Sequence, residues 1–185
     1  MSSEPLSRNE LVQRAGGVWD YISPSRLGTW LACPLKFKRK YLDGIRTPTS
    51  PAAFLGKVVH GGLEHYYRHR QLGITLAHEE VVGRLVEYWP EAAADDAMSF
   101  VSVAAEKVLL SQATALVNAY LLQVPSIEPR PLAVEVALEA PLVDPISGED
   151  MGIPLVGIVD LVLPADDGPL VVDFKSAPDV SGRAQ

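Results

Sequence analysis

The sequence predicts an α+β fold in which helices come first and an antiparallel β-meander follows. Two observations support this prediction. Apolar residues recur at helical spacing over roughly the first two thirds of the 185 residues. After "PSIEPRP" the pattern changes to three strand-like segments, separated by loops rich in Pro, Asp and Gly. Helices followed by sequential strands are typical of a sheet that packs one face on helices.

Composition indicates a globular protein of one domain. Of the 185 residues, 48% are hydrophobic and 21% are charged, which is enough apolar material for a buried core. We expect residues 1–20 to form a loosely ordered lead-in and residues 21–185 to form the domain. The longest apolar stretch, "VSVAAEKVLLSQATALVNAYLL", is interrupted by Glu106 and Lys107, so we expect no membrane span and no membrane partner.

Targeting features and cysteine usage favour the cytoplasm. The segment "MSSEPLSRNELVQRAGG" lacks the apolar region that secretion signals carry. Cys33 is the single cysteine, which excludes a disulfide within these 185 residues and fits a reducing compartment. We therefore expect a cytoplasmic protein.

Four helices are predicted in the first part of the chain. Ser23 and Pro24 form a helix-start signal, and Pro34 should kink or split the helix that follows. A second helix is predicted over 54–73, where apolar residues recur at helical spacing. Its Gly-Gly pair is a weak point, because glycine costs about 1 kcal/mol relative to alanine inside a helix. The third and fourth helices are predicted over 77–89 and 101–122.

The last two of the three predicted strands form a hairpin. The strands are predicted over 132–142, 153–164 and 169–176. The connecting "ADDG" is a four-residue loop, and if it is tight Leu163 faces Leu170. The same register sets Asp160 opposite Asp173. Because side chains alternate along a strand, Lys175 lies on the same face as Asp173.

The facing carboxylates of Asp160 and Asp173 need an explanation, since like charges opposed in an apolar sheet are unfavourable. The pair could share a proton, Lys175 could neutralise one charge, or a cation could bind both. Mg²⁺ takes carboxylate oxygens and keeps waters, and one such water could attack a phosphoryl group. Lys175 could orient that water or stabilise developing negative charge. This is the chemistry of phosphodiester hydrolysis; a solvated Asp–Lys pair on an exposed sheet face is the alternative.

A third carboxylate, Glu135, could join this group. If Leu142 opposes Ile153, Glu135 faces Asp160 in the neighbouring strand. The long connection between these strands leaves the register open. An ordinary exposed strand residue is an equal alternative for Glu135.

Basic residues are concentrated in one segment of an acidic protein. The net charge is −7, but residues 22–72 hold nine Lys or Arg against two acidic residues, which leaves −14 for the rest. Local charge matters more than net charge for phosphate binding. A solvated helix face is the equal alternative. The candidate phosphate contacts are Arg26, Lys36, Lys38, Arg39 and Lys40.

The order of four short motifs resembles a known nuclease family. The motifs are "SPSRLGTWLACPLKFKRKYLDGI", "GKVVHGGLE", "GIVDLVLP" and "VVDFKS", within residues 21–176. They are similar to the RecB-type branch of the PD-(D/E)XK nuclease superfamily, which includes the nuclease domains of RecB and AddB and the CRISPR-associated adaptation exonucleases. The resemblance implies a restriction-endonuclease-like version of the α+β fold.

The resemblance also implies roles for particular residues. The family's G-x-x-x-H motif ends at His60, its G-x-x-D motif ends at Asp160, and its D/E-x-K motif matches Asp173–Lys175. Metal binding, by Mg²⁺ or Mn²⁺, would fall to His60, Asp160, Asp173 and the backbone carbonyl of Phe174. Lys175 would activate or position water, and the basic residues would contact DNA.

Glu64 lies one turn after His60 and has two interpretations. It could support the histidine as a hydrogen-bond partner. It could equally form an ordinary helix pair between residues four apart.

The sequence departs from the family pattern at two places. Many relatives bind an iron–sulfur cluster through four cysteines, the first at the position of Cys33, and one thiolate cannot build such a cluster. A 4Fe–4S cluster would require further cysteines beyond Gln185; otherwise we expect Cys33 to be a small core residue. Relatives also continue into a helix with a Q-x-x-x-Y motif, and we expect that the chain is truncated near Gln185.

The resemblance implies a metal-dependent DNA nuclease, in particular an exonuclease of DNA repair or recombination. Its partners would be DNA and a helicase or another recombination or repair subunit. The alternative is a catalytically inactive nuclease-fold module that binds DNA or a partner protein through the basic segment. A third hypothesis, an acid–base enzyme that pairs Lys175 with an aspartate of raised pKa, has no substrate pocket in the sequence to support it.

Overall fold

The computed structural model describes residues 17–175 apart from residue 19, and in this part of the chain five helices precede a three-stranded antiparallel sheet. The α+β fold class is therefore confirmed. The strand order is β1-β2-β3. The helices are α1 (Pro24–Ala32), α2 (Pro34–Phe37, followed by a π-helical turn over Lys38–Leu42), α3 (Pro51–Gln71), α4 (His78–Asp95) and α5 (Val103–Leu121); the strands are β1 (Ala133–Val143), β2 (Asp150–Ala165) and β3 (Gly168–Val172).

The chain divides into two compact units, and the larger one contains most of the buried residues. It comprises Pro48–Val134 and the described residues from Asp160 onward. Helices α3, α4 and α5 pack there with residues of the strands in one apolar core. The fully buried side chains include Phe54, Tyr67, Val81, Val117, Leu121 and Leu161.

Helix α3 is uninterrupted despite its Gly-Gly pair. The Ser50 hydroxyl accepts a hydrogen bond from the Ala53 amide at 3.2 Å, which caps the helix start. Gly62 is buried, and a methyl group there would meet Leu85 and Val117 at 3.3 Å. The missing side chain therefore lets α4 and α5 approach α3 closely, and this packing stabilises the helix.

Helix α4 continues past the predicted end at residue 89, through Pro90, to Asp95. Proline removes one helix hydrogen bond and usually ends or kinks a helix. Trp89 and Ala92 flank the proline and are both buried in the core. The core packing of Trp89 and Ala92 thus outweighs the tendency of Pro90 to end the helix.

The β2–β3 hairpin has the predicted register with a shorter turn. Leu163 pairs with Leu170, and the ladder closes at Ala165 with Gly168. The turn therefore has two residues rather than four, and Gly168 supplies a positive φ of 124° beside it. Strand β3 ends at Val172, so the D-F-K motif follows the ladder instead of lying inside it.

The smaller unit comprises the described residues up to Thr47 together with Glu135–Val159. Ser23 caps α1 as predicted, accepting a hydrogen bond from the Arg26 amide at 3.3 Å. The helix splits before Pro34, as predicted. Ile22 forms a parallel bridge with Leu155, and Tyr21 packs against the buried Ala137 and Val156 in a small apolar cluster.

Some predictions lie outside the described residues. These are most of the lead-in over 1–20, Ser176 and everything proposed for Gln185. The prediction that the third strand continues past Val172 is wrong, because the described residues 173–175 are not in a strand.

Candidate active site

Helix α3 places His60 beside the D-F-K motif. The imidazole is half-buried, with 29% of its side-chain surface exposed. Its ring packs edge-on against Phe174, with ring centroids 5.7 Å apart. The next helix positions toward the core, Val59 and Leu63, are buried. The core packing of α3 therefore fixes where the histidine lies.

Asp160 is the central acidic residue of this site. It lies on β2, one residue before the first ladder pair, and only 12% of its side chain is exposed. Oδ2 accepts a hydrogen bond from the Phe174 backbone N–H at 2.7 Å. Oδ1 lies 3.6 Å from His60 Nδ1. One carboxylate thus connects the helix histidine to the backbone of the D-F-K motif.

Asp173 and Lys175 form an exposed ion pair with each other. The hydrogen bond to Asp173 is the main cause of a raised pKa at Lys175, and the charge of Asp160 adds to it. Lys175 is therefore an ammonium at neutral pH. The predicted pair of Asp160 and Asp173 lies one pair beyond the last ladder pair of the hairpin. There the Asp160 carboxylate accepts a hydrogen bond from the backbone N–H of Phe174, the residue after Asp173.

Three side chains offer ligand atoms for one cation. One atom each from His60, Glu135 and Asp160 lies within 4.8 Å of the other two. Glu135 lies within β1 but has a φ of 47°, in the left-handed region that glycine favours. Among the described residues Asp173 is not part of this group; its carboxylate forms the ion pair with Lys175. A His/Glu/Asp group of this kind could bind a metal ion.

The surroundings of Phe174 were not predicted from the sequence. Its side chain is 5% exposed. The Tyr67 ring stacks on it at 5.9 Å, and the Tyr120 ring meets it edge-on at 5.5 Å. One signal was available for Tyr67, because residues seven apart on a helix share a face and His60 is seven residues earlier. No periodicity links Tyr120 to the motif.

Glu64 has a clear partner other than His60. Its Oε1 accepts a hydrogen bond from Arg68 Nε at 2.7 Å, an ion pair between residues four apart on α3. This is the ordinary helix pairing, formed with the next turn rather than with the histidine.

The five basic candidates fall into two groups. Arg26 is engaged locally: its Nη1 donates to the carbonyls of Val18 and Tyr21 at 3.0 and 2.9 Å, and its guanidinium lies 3.8 Å from the centre of the Tyr21 ring. The other four lie exposed on α2 and its π-helical turn. They are Lys36, Lys38, Arg39 and Lys40.

Cys33 is exposed, so the expectation that it is a core residue is wrong. Its backbone is extended at the break between α1 and α2, which turns the residue away from helix packing. The Sγ atom accepts a hydrogen bond from the Lys36 amide at 3.4 Å and so caps α2.

Comparison with known proteins identifies the family. No helix among the described residues is both long and apolar enough to cross a membrane. No curated protein matches the chain. The model of the PD-(D/E)XK nuclease superfamily matches residues 21–184, most of the chain. Members of this superfamily are nucleases that use divalent metals, and membership implies DNA binding. The chain, with its G-x-x-x-H helix, its Asp160 strand and its D-F-K motif, belongs to the PD-(D/E)XK nuclease superfamily.

Proposed function

We propose that the protein is a metal-dependent deoxyribonuclease that hydrolyses phosphodiester bonds, and that it acts as an exonuclease in DNA repair or recombination. The observation that carries this proposal is the position of Asp160, which lies 3.6 Å from His60 and accepts the Phe174 N–H at 2.7 Å. This arrangement supports a site in which an imidazole, a carboxylate and the D-F-K backbone act together.

The donor set suits a hard divalent cation. Mg²⁺ and Mn²⁺ favour carboxylate, carbonyl and water oxygens, and imidazole is a common additional ligand. His60 and Asp160 would hold the ion, with Glu135 as an accessory ligand. Asp173, which pairs with Lys175 in this structure, and the backbone carbonyl of Phe174 would complete the ligands when the ion binds. Such an ion, when bound, polarises a phosphoryl oxygen and lowers the pKa of a coordinated water.

Lys175 has a different role in this proposal. As an ammonium, it cannot accept a proton from water, but it can donate hydrogen bonds to oxygens that gain negative charge. It would thus orient the attacking water and stabilise the charged phosphoryl group. Water adds across one P–O bond, which leaves a phosphate monoester on one fragment and a hydroxyl group on the other.

The test is cleavage of end-labelled oligonucleotides in Mg²⁺, in Mn²⁺ and in EDTA. We expect cleavage by the parent protein with either metal, and loss of cleavage in Asp173→Ala and Lys175→Ala. Asp166→Ala, an exposed acidic residue of the hairpin turn, is the matched control. If both site variants degrade DNA as fast as the parent, the proposal is wrong. A circular substrate that resists cleavage would identify exonuclease action.

A second candidate function is a non-catalytic DNA-binding or partner-binding module. The observation that favours it is the exposure of Lys36, Lys38, Arg39 and Lys40 on α2. Such a protein binds DNA with strong salt dependence, because each neutralised phosphate releases counterions. Binding without metal-stimulated cleavage would select this alternative. Removing two of the four charges should then weaken binding equally across sequences and reduce the salt slope by about 0.9 per lost contact.

The proposed partners and location follow from the proposed activity. A helicase or another recombination or repair subunit would supply unwound strands to the nuclease. We place this activity in the cytoplasm, where the exposed Cys33 thiol stays reduced.

A further inference from the structure

We propose that four residues outside the known family motifs position Phe174, and through its backbone the Asp160 carboxylate. Tyr67, Tyr120, Glu128 and Arg70 form what we call the phenol network. Only the effect of this inference on catalysis rests on the proposed function. Its structural content concerns the Phe174–Asp160 hydrogen bond and does not depend on that function.

The phenol network has one hydrogen-bond direction when Glu128 is a carboxylate. Tyr67 is fully buried, and its hydroxyl donates to Glu128 Oε1 at 3.2 Å. The Tyr67 and Tyr120 hydroxyl oxygens lie 3.0 Å apart. Since Tyr67 has one proton and gives it to Glu128, Tyr120 must donate to Tyr67. The order is therefore Tyr120 to Tyr67 to Glu128.

Arg70 anchors the acidic end of the phenol network. Its Nη2 donates to the Glu128 backbone carbonyl at 2.5 Å, and its Nη1 lies 3.0 Å from Glu128 Oε2. Oε2 is buried and makes no hydrogen bond among the described residues, and Arg70 Nη1 donates instead to the Tyr66 hydroxyl at 3.2 Å. Charge attraction therefore holds Oε2, while true hydrogen bonds hold Oε1 and the main chain.

The phenols remain protonated at any pH that the protein would encounter. Burial raises the pKa of Tyr67, and the neighbouring Tyr120 and Glu128 raise it further. Burial also raises the pKa of Tyr120. Both hydroxyl groups are thus permanent donors, which suits a positioning role.

The Tyr67 and Tyr120 rings connect the phenol network to Phe174 in the candidate active site. Tyr67 stacks parallel to Phe174 at 5.9 Å, and Tyr120 meets it edge-on at 5.5 Å. Phe174 has almost no exposed surface, so these rings leave its side chain little freedom. Its backbone N–H is the donor to Asp160 at 2.7 Å. Because the buried ring cannot turn freely about its side-chain bonds, a displacement of the ring that these torsions do not absorb moves the backbone N–H and with it the hydrogen bond to Asp160.

Two variants test the network without removing its rings. Tyr67→Phe deletes one hydroxyl and keeps the stacked ring, and Glu128→Gln keeps the shape but removes the charge. Tyr88→Phe, a tyrosine on α4 outside the phenol network, is the matched control. Val81→Ala controls for general loss of stability in the same core.

The primary measurement is nuclear magnetic resonance of ¹⁵N-phenylalanine protein without metal. The sequence has four Phe residues, so Phe174→Leu assigns the signal. We expect Tyr67→Phe and Glu128→Gln to shift the Phe174 amide resonance and to speed its hydrogen exchange by about 10-fold or more, as expected when a buried partner is lost. Tyr88→Phe and Val81→Ala should leave the resonance position unchanged.

The second measurement is Mn²⁺ binding by calorimetry, well below the unfolding temperature. Positioning partners of metal ligands typically change metal affinity by about 10- to 100-fold, and we expect a loss in this range for both network variants. An unchanged Phe174 resonance in Tyr67→Phe and Glu128→Gln overturns the inference. If the two network variants shift the Phe174 resonance but the parent protein never cleaves DNA, the inference is upheld and only the proposed function is overturned.

Discussion

The Phe174 backbone N–H donates a 2.7 Å hydrogen bond to Asp160 Oδ2, which joins β2 to the residue two positions after β3. The ladder ends at Val172, so this side chain takes over where main-chain pairing stops. The other oxygen, Oδ1, lies 3.6 Å from His60 Nδ1. Asp160 therefore has a structural task and a proposed chemical task, and substitution can separate the two.

The first prediction concerns Asp160→Asn. The asparagine carbonyl can still accept the Phe174 N–H, so the free energy of unfolding should change by no more than about 1 kcal/mol. The lost charge should lower the rate of DNA cleavage by about 100-fold or more. Urea unfolding and single-turnover cleavage measure the two effects. Asp166→Asn in the hairpin turn is the control, and parent-like cleavage by Asp160→Asn would contradict the prediction.

The second prediction concerns stabilisation by metal. A ligand that binds only the folded state adds about 2.7 kcal/mol of stability at a concentration 100 times its Kd. We expect added Mn²⁺ to raise the unfolding temperature of the parent, and EDTA to reverse the rise. The rise should be strongly reduced in Asp160→Asn. An equal rise in both proteins would place the ion elsewhere.

The third prediction compares the two adjacent glycines of α3. A methyl group at Gly61 meets nothing within 4 Å, whereas at Gly62 it meets Leu85 and Val117 at 3.3 Å. Gly61→Ala should therefore stabilise the protein by about 0.5–1 kcal/mol, the usual helix gain. Gly62→Ala should gain less or destabilise, because the helices must move apart. Urea unfolding measures the stability of both variants. A larger gain in stability for Gly62→Ala than for Gly61→Ala would contradict the prediction.

The fourth prediction concerns the pH dependence of stability at Glu128. Burial raises the pKa of Glu128 above its ordinary value of 4.5, although Arg70 and Tyr67 oppose the shift. The folded state therefore holds the proton more tightly than the unfolded state. The stability that this group contributes is fully present below pH 4.5 and is lost as pH rises through the raised pKa.

Glu128→Gln lacks this titration. We expect the free energy of unfolding of the parent, relative to the variant, to fall as pH rises from 4.5 through the raised pKa of Glu128. Urea unfolding at several pH values measures the difference. Glu87→Gln, at an exposed partner of Arg84, should show no such trend. A difference that stays constant or rises with pH would mean that the Arg70 charge outweighs burial.

The parts of the structure that sequence reasoning could predict are those governed by local chemistry. Ser23, Pro24 and Pro34 act through short-range capping and sterics, so the start and the break of the first helical segment were predictable. The β2–β3 register follows from hairpin closure, and the pairing of Leu163 with Leu170 confirms it.

The remaining features depend on contacts between distant parts of the chain. Helix α4 passes through Pro90 because Trp89 and Ala92 are buried on either side, and no local rule reports that burial. Glu128 and Tyr67 are 61 residues apart and meet only in the folded core. The ladder of β3 likewise ends at Val172, and beyond it the Phe174 N–H donates to the Asp160 side chain, a contact that no local pattern predicts.

Helix α3 carries His60 and, seven residues later, Tyr67, with continuous helical hydrogen bonding between them. A single inserted or deleted residue in this stretch would rotate one side chain relative to the other by about 100°. The helix would survive such a change, yet the imidazole and the phenol would no longer face Phe174 together. The length of this stretch, and not only its composition, should therefore be restricted in any functional relative.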